Sequence, residues 1–123
     1  MSLKILENFV CVKSVVVIPA KNEEENIGKV VEKAKDYVDT VIVVDDGSTD
    51  KTAEKALKAG AKVLKLSKNV GKGYAMRVGA KKALEIGADV IVFMDGDGQH
   101  RAQDLPKFIE ALKNYDAAFG QRR

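Results

Sequence analysis

The stretch SVVVIPAKNEEENIGKVVEKAKDYVDTVIVVDDGSTD, residues 14–50, decides the fold. It opens with an apolar, β-branched run that is typical of a buried strand, and Pro19 is expected to end that strand. An amphipathic segment with apolar residues at helical spacing follows, and a second apolar run ends at Asp45 and Asp46. Strand, helix and strand in this order predict a βαβ unit, in which the two strands are parallel.

The rest of the chain repeats this alternation of strands and helices. Gly60 and Gly87 each follow a helical segment and are expected to end it. The alternation predicts an α/β protein with three layers, α/β/α, in which helices cover both faces of a mostly parallel sheet. The predicted strands are 14–18, 40–44, 62–66 and 89–94, with a fifth beginning at 116–120, and the predicted helices are 24–38, 51–59, 73–86 and 105–114.

Polar residues mark the expected helix starts. Asn22 is the predicted N-cap of the first helix, with Glu25 three residues later as the second half of a capping box. Ser48 or Asp50 is expected to cap the second helix by accepting a hydrogen bond from a free backbone N–H.

Length and composition narrow the class of protein. The chain has 123 residues, which predicts one domain over 14–123 with an unassigned extension over 1–13. Its longest apolar runs are far shorter than the roughly 20 residues of a membrane-spanning helix. The single cysteine, Cys11, cannot form an intramolecular disulfide, and no secretory leader is visible, so we expect a cytoplasmic protein. Interleaved acids and bases around a net charge of +3 argue against a nucleic-acid partner.

A polar loop follows each of the four predicted strands. In a parallel sheet, ligands bind beyond the carboxyl ends of the strands, near a reversal in strand order. These loops therefore share the edge of the sheet where a binding site is expected. They are 19–23, 45–49, 67–73 and 95–100.

The loop DGDGQH, residues 95–100, is the first candidate for a metal site. Side chains two apart in an extended segment point the same way, so Asp95 and Asp97 can present their carboxylates to one point. Mg²⁺ or Mn²⁺ would relieve their repulsion and would complete its shell with water and phosphate oxygens. Gln99 could add a carbonyl oxygen, and Gly96 permits close approach of a ligand. The alternative for this motif by itself is a plain Asp-Gly turn.

Two further loops have a structural and a functional interpretation. In DDGSTD, residues 45–50, a helix cap explains only one of the acids, whereas Asp45 and Asp46 together suit hydrogen bonds to a nucleoside. In NVGKG, residues 69–73, the glycines and Lys72 open a helix and could hold a phosphate, or Lys72 could simply lie in solvent. The segment matches neither the Walker pattern nor the dinucleotide-binding pattern.

Four segments together resemble the GT-A glycosyltransferases of the family 2 type. They are VVVIPAKNEEENI, VIVVDDGSTDKT, NVGKGYAMRVGAKKA and VIVFMDGDGQH, in this order over roughly residues 14–120. The likeness is greatest to the branch that contains dolichol-phosphate mannosyltransferases and polyprenyl-phosphate sugar transferases. It implies the nucleotide-diphospho-sugar transferase fold, in a truncated or minimal form.

The resemblance also implies roles for individual residues. Asp95 and Asp97 would form the catalytic Asp-x-Asp motif, which holds Mg²⁺ or Mn²⁺ against the diphosphate of the donor, with Gln99 at a further metal-contacting position. Lys21 stands where most relatives have a tyrosine, which would remove a stacking surface for the base. The implied donor contacts are Pro19, Ala20, Glu23, Asp45, Asp46, Lys72, Gly73, Gly96 and Arg122.

The implied function is transfer of a sugar from a GDP- or UDP-sugar to a polyprenyl or dolichyl phosphate, or to a glycan. A lipid phosphate is already an anion and needs no strong general base, which suits a chain with one histidine, His100. Such an enzyme would act at the cytoplasmic face of a membrane. The chain would be either the amino-terminal portion of a longer protein or a minimal protein that uses a second copy or a partner subunit. The alternative is a non-catalytic nucleotide-sugar-binding module that lacks its acceptor half.

Overall fold

The computed structural model of the chain describes residues 5–6, 9–10 and 13–96. None of the helices within this part is long and apolar enough to cross a membrane. Several predictions lie outside the described residues: the metal ligands Asp97 and Gln99, the neighbouring His100, the donor contact Arg122, and the elements at 105–114 and 116–120.

A four-stranded parallel sheet forms the centre of the fold. A short antiparallel pair, β1 (Ile5–Leu6) and β2 (Phe9–Val10), precedes it in the chain. The strands of the sheet are β3 (Ser14–Ala20), β4 (Thr40–Asp45), β5 (Lys62–Lys65) and β6 (Val90–Phe93). Their order across the sheet is β5-β4-β3-β6, and every neighbouring pair is parallel.

The strand order reverses at β3. From β3 the chain moves outward through β4 to β5, and it then returns to place β6 on the opposite side of β3. Ligand crevices in parallel sheets form at such a reversal, beyond the carboxyl ends of the two strands involved. The topology therefore predicts a ligand site at the carboxyl ends of β3 and β6.

Helices cover both faces of the sheet, as predicted. Side chains of β3 alternate between two cores, because successive side chains of a strand point to opposite faces. Val16 and Ile18 pack in the core that contains the buried side chains of the first two helices. Val15 and Val17 pack in the core that contains those of the third. The three-layer α/β/α architecture is thus confirmed, with α1 (Ile27–Ala34) and α2 (Thr52–Ala59) on one face and α3 (Lys72–Glu85) on the other.

Gly79 sets how closely α3 lies on the sheet. A Cβ atom at this position would stand 2.3 Å from Cγ1 of Val17 and 3.0 Å from Cγ2 of Val44. Any larger residue would therefore push the helix away from β3 and β4. Because α3 begins at the edge where the candidate site is expected, this contact also determines how far the start of the helix lies from the sheet.

The end of β3 differs from the prediction. The strand continues through Pro19 to Ala20, with Pro19 opposite Val44 of β4. Backbone groups of a strand alternate between its two neighbours. The Ala20 carbonyl accepts from Asp46 N on the β4 side, so the nitrogen of Pro19 faces the β6 side, where pairing stops at Val17. The missing N–H of proline therefore removes no bond from the ladder.

The start of α1 also differs from the prediction. The helix begins at Ile27 rather than at residue 24, and Asn26 holds the N-cap position without a side-chain cap. Asn22 adopts a left-handed conformation with φ of 54°. Its side-chain oxygen accepts from the N–H of Thr49 at 2.9 Å. The predicted cap at Asn22 is wrong, because that side chain joins two loops instead.

The first helix also ends earlier than predicted, at Ala34 rather than at residue 38, whereas the ends of the other two helices agree better. Asp50 accepts from the N–H of Thr52, the first residue of α2, at 2.9 Å, although Lys51 holds the formal N-cap position. Gly60 ends α2 with φ of 107°. Gly87 follows α3 with φ of 89°. Both glycines adopt the left-handed conformation that ends many helices.

Candidate functional site

A pocket of about 310 Å³ opens where β3 and β6 end. It is lined by Pro19, Ala20, Lys21, Glu23, Asp46, Lys72, Asp95 and Gly96. All of these except Lys21 belong to the set predicted from the sequence to contact donor or metal. Residues from four separate segments therefore meet at the reversal in strand order, although they are spread over 78 positions of the chain.

Asp46 connects the pocket to the loop before α3. One carboxylate oxygen accepts from the N–H of Val70 at 2.8 Å, and the other accepts from the N–H of Gly71 at 3.0 Å. The backbone N–H of Asp46 donates to the carbonyl of Ala20 at 2.9 Å. Asp46 is 5% exposed, so these bonds lie mostly out of water. One residue thus joins the end of β3, the end of β4 and the start of α3.

Asp45, the last residue of β4, is outside the described pocket lining. Asp45 is 1% exposed, and its carboxylate accepts from the N–H of Ser48 at 2.9 Å. Among the described residues, Asp46 lines the pocket and Asp45 supports the turn that follows β4. The predicted contact of Asp45 with a nucleoside therefore stays a prediction.

Gly47 allows two loops of the site to pack directly against each other. Its φ is 76°, a conformation that side chains rarely adopt. A Cβ atom there would stand 2.6 Å from Asn69 N and 2.8 Å from the carbonyl carbon of Lys68. Since both neighbours are backbone atoms, a side chain at Gly47 would force the backbone of the loop before α3 to shift. Glycine is required here for packing as well as for the turn.

Lys72 and Asp95 form an ion pair within the pocket lining. The ammonium nitrogen of Lys72 lies 2.6 Å from Oδ1 of Asp95. The Lys72 side chain is 62% exposed and that of Asp95 is 23% exposed, so water reaches both partners. Lys72 is thus mostly exposed to solvent, as one interpretation expected, but its ammonium is paired with Asp95 at the pocket.

The two predicted glycines have different surroundings. Gly96 is buried, and a Cβ atom there would stand 3.1 Å from Cβ of Ala20 and 3.4 Å from Cδ1 of Ile27. It lets the segment after β6 pack against the end of β3. Gly73 lies exposed in the first turn of α3, with open space around its Cα, and it is outside the pocket lining that the structure describes. Its predicted contact with a donor therefore stays a prediction.

A network that the sequence did not reveal joins the loop after β3 to the start of α2. The hydroxyl of Ser48 accepts from the N–H of Asn22 at 2.8 Å. The hydroxyl of Thr52, which is fully buried, accepts from the N–H of Glu23 at 2.8 Å. These bonds hold the backbone that carries Lys21 and Glu23 into the pocket. Their partners are 26 and 29 residues apart, so no local pattern could have indicated them.

Asp50 anchors the same network. Partial burial acts to raise the pKa of the Asp50 carboxyl, but hydrogen bonds outweigh that effect and hold the pKa below its usual value. The donors are the hydroxyl and backbone N–H of Thr52 and the backbone N–H of Glu24. The ionised form of Asp50 is therefore the one that stabilises this junction.

The chemistry of the pocket fits a divalent cation through Asp95. A carboxylate is the hard oxygen donor that Mg²⁺ and Mn²⁺ take, and this one lies at a pocket with partial access to water. Within the described residues there is no group of three or more potential ligands from His, Cys, Asp or Glu. A cation at Asp95 would need the remaining ligands from the substrate, water and the predicted positions 97 and 99.

The comparisons with known proteins agree with this geometry. Residues 15–123 match the profile described as "Glycosyl transferase family 2". The chain belongs to this family. Among curated relatives, the UDP-N-acetylglucosamine–dolichyl-phosphate N-acetylglucosaminyltransferase of Methanococcus voltae is 38% identical, over 80% of this chain and 46% of the relative. The dolichol-phosphate mannosyltransferase of Pyrococcus furiosus is 38% identical, over 87% of this chain and 32% of the relative.

A solved structure confirms the GT-A fold class. The glucosyl-3-phosphoglycerate synthase of Mycobacterium tuberculosis, crystallised with Mn²⁺, UDP-glucose and phosphoglyceric acid, is 32% identical, with a TM-score of 0.57. The match covers 69% of this chain and 33% of that protein. The chain spans a third to a half of the length of the family members it matches.

Proposed function

We propose that this chain forms the donor-binding part of a metal-dependent glycosyltransferase that moves a sugar from a nucleoside-diphosphate sugar to a polyprenyl or dolichyl phosphate. The observation that carries the proposal is the convergence of Asp46, Lys72 and Asp95 on one pocket at the reversal in strand order. Family membership and the activities of the named relatives support the reaction class. The acceptor would be a lipid phosphate at the cytoplasmic face of a membrane.

The described residues have distinct tasks in this reaction. Asp95 would be the first carboxylate of an Asp-x-Asp motif that binds Mg²⁺ or Mn²⁺, with positions 97 and 99 as its partners. Bound there, the metal supplies electrostatic stabilisation of the charge that grows on the departing nucleoside diphosphate. Lys72 places a further positive charge at the same pocket. Asp46 positions the loop that carries Lys72, and Gly96 lets the segment that carries Asp95 pack against the end of β3.

Lys21 lines the wall where a base would lie, and its long side chain can cover a base without stacking as an aromatic ring does. We propose a GDP- or UDP-sugar as the donor, and a second copy or a partner subunit as a further partner.

A thermal-shift screen tests the donor site. GDP, UDP, GDP-mannose, UDP-glucose and UDP-N-acetylglucosamine are each added with and without Mn²⁺. We expect a Mn²⁺-dependent rise in Tm with at least one of these ligands. Asp97→Ala is expected to abolish the rise while leaving the ligand-free Tm unchanged. Asp36→Ala is the matched control, because it removes an exposed carboxylate far from the pocket lining.

A turnover assay separates an enzyme from a binding module. The chain is incubated with the best donor, Mn²⁺ and dolichyl or undecaprenyl phosphate, and release of the nucleoside diphosphate is measured. Lipid-dependent release supports the proposed transferase. A Tm rise without release would support the binding module instead, and an unchanged rise in Asp97→Ala would contradict the role of the acidic motif.

A further inference from the structure

The outward face of α3 combines apolar and basic side chains in one stripe, which consists of Tyr74, Arg77, Lys81 and Leu84. Residues three or four apart lie on the same side of a helix, so these four are neighbours. All of them are exposed, and the buried residues of α3 are on the side that faces the sheet. Leu84 is 65% exposed, more than any other large apolar side chain of the described residues, and Tyr74 is 52% exposed. The α3 stripe therefore presents apolar surface that the described fold does not bury.

The α3 stripe also carries positive charge. The helix contains four basic residues and one acid, Glu85 at its last position, which gives it a net charge of +3. The formal net charge of the whole chain is also +3, so the remaining residues together are neutral. Arg77 and Lys81 make no ion pair with another described residue, and like charges four residues apart repel each other on a helix. An anionic surface against the α3 stripe would offset this repulsion.

The helices on the other face of the sheet lack this combination. On α1 the exposed residues are Lys29, Glu32 and Lys33, which differ in sign and include no large apolar side chain. Such a surface is typical of a helix in contact with water. On α2 a single large apolar residue, Leu57, is exposed, and isolated residues of this kind are common on protein surfaces. The α3 stripe is therefore the described helix surface best suited to a partner.

We propose that the α3 stripe docks the protein on a membrane surface that contains anionic lipids. Arg77 and Lys81 would lie among the lipid phosphates, and Tyr74 and Leu84, at the two ends, would enter the boundary between headgroups and acyl chains. Tyrosine suits this depth because its ring is apolar and its hydroxyl group is polar. The charge of the stripe selects an anionic partner, and its apolar ends favour a lipid surface over a soluble polyanion.

The position of the α3 stripe relative to the pocket gives the docking a purpose, which rests on the proposed function. Tyr74 is two residues after Lys72, which lines the pocket, so the stripe begins beside the pocket and continues away from it along the helix. A membrane against the stripe would pass close to the pocket opening. A lipid phosphate acceptor would then reach the pocket while its hydrocarbon chain stayed in the bilayer.

Cosedimentation of the full chain with sucrose-loaded vesicles tests the docking. The vesicles contain phosphatidylcholine alone or phosphatidylcholine mixed with phosphatidylglycerol, at low and at high salt. We expect binding to the anionic vesicles only, and weaker binding at high salt because salt screens the charges. Replacing both Arg77→Gln and Lys81→Gln is expected to lower the partition coefficient about 25-fold, which is about fivefold for each basic residue near an anionic surface. Leu84→Ser is expected to lower binding at both salt concentrations, because it removes apolar insertion.

A matched variant on the other face of the sheet separates the α3 stripe from general charge. Lys55→Gln combined with Lys58→Gln removes the same charge from exposed positions of α2 and is expected to bind vesicles nearly as well as the wild type. None of the substituted residues lies in the described pocket lining. All variants should therefore keep the Mn²⁺-dependent rise in Tm with donor that the wild type shows.

The outcomes distinguish this inference from the proposed function. If the wild type does not bind anionic vesicles, or if the α2 variant loses as much binding as the α3 variant, the docking is refuted. If the wild type binds soluble polyglutamate as well as it binds vesicles, and Leu84→Ser changes neither, the α3 stripe is a surface for an acidic protein and the lipid proposal is overturned. If the wild type shows no donor-dependent rise in Tm, the proposed donor site fails, whereas vesicle binding, measured without donor, decides the docking independently.

Discussion

Replacing Asp46 by asparagine tests whether the pocket depends on the loop that this carboxylate holds. In the structure both carboxylate oxygens accept backbone N–H groups, from Val70 at 2.8 Å and from Gly71 at 3.0 Å. Asparagine has nearly the same shape, but an NH₂ group replaces one of the oxygens. This NH₂ group would face a backbone N–H, and two donors cannot form a hydrogen bond with each other. The other oxygen remains an acceptor without its charge. The substitution therefore changes these bonds with little change in packing.

The size of the effect follows from these two bonds. A hydrogen bond to a charged acceptor contributes about 1.5–3 kcal/mol, and a neutral one about 0.5–1.5 kcal/mol. Losing one charged bond and neutralising the other would cost about 2.5–4.5 kcal/mol if the freed N–H stayed buried. Val70 is 40% exposed, so water can reach part of this loop and reduce the cost. We expect Asp46→Asn to lower the free energy of unfolding by about 2 kcal/mol.

Urea unfolding at neutral pH measures this loss, with Asp36→Asn as the control on an exposed carboxylate. The control is expected to stay within about 0.5 kcal/mol of the wild type. The Mn²⁺-dependent Tm rise with donor should also shrink in Asp46→Asn, because the loop carries Lys72 into the pocket. A free energy of unfolding within about 0.5 kcal/mol of the wild type would refute the positioning role. If donor binding fell nonetheless, Asp46 would contact the donor directly.

Two further predictions concern the fold that supports the site. Gly79→Ala is expected to lower the free energy of unfolding, measured in urea, by about 1–2 kcal/mol. Overpacking against Val17 costs about 1–3 kcal/mol, and the higher helix propensity of alanine offsets at most about 1 kcal/mol of this cost. The control is Gly28→Ala on α1, where the added methyl group would meet no other atom, and it should stabilise the protein by about 0.5–1 kcal/mol. Equal effects of the two substitutions would contradict the close packing of α3 on the sheet. Asp50 has a lowered pKa in the folded state, so its contribution to stability is complete above the unfolded pKa of about 3.9 and is lost as pH falls through the folded value. Wild type should therefore lose stability more steeply than Asp50→Asn in urea titrations carried down to about pH 3, and parallel pH profiles would contradict this assignment.

Periodicity predicted the elements, because burial on both faces of a sheet leaves a strong local pattern. The apolar run of β3 and Gly60 at the end of α2 are both local features. The ends of β3 and of α2 were predicted to within two residues. The convergence of polar loops on one edge followed from the alternation of strands and helices. The features that the sequence predicted correctly are those that depend on interactions between residues close together in the chain.

The errors arose where distant residues decide the local conformation. Asn22 was predicted to cap α1, but hydrogen bonds with Ser48 and Thr49 hold it in a left-handed conformation and delay the helix to Ile27. The pairing of Lys72 with Asp95 likewise depends on the topology that brings α3 beside the end of β6. Neither contact has a signature within its own segment. The sequence predicted a set of candidate residues, and the structure shows which of them lie together at one pocket.

The charges that line the pocket explain why a cation should accompany the donor. Lys72 is paired with Asp95, and the Asp46 carboxylate is satisfied by two backbone N–H groups. Lys21 and Glu23 are the remaining charged side chains of the described lining, and their charges balance. The formal charges of the described lining nevertheless sum to −1, because two lysines face three acids, and this disfavours entry of a diphosphate by itself. A divalent cation would reverse that balance, which supports the proposed metal dependence.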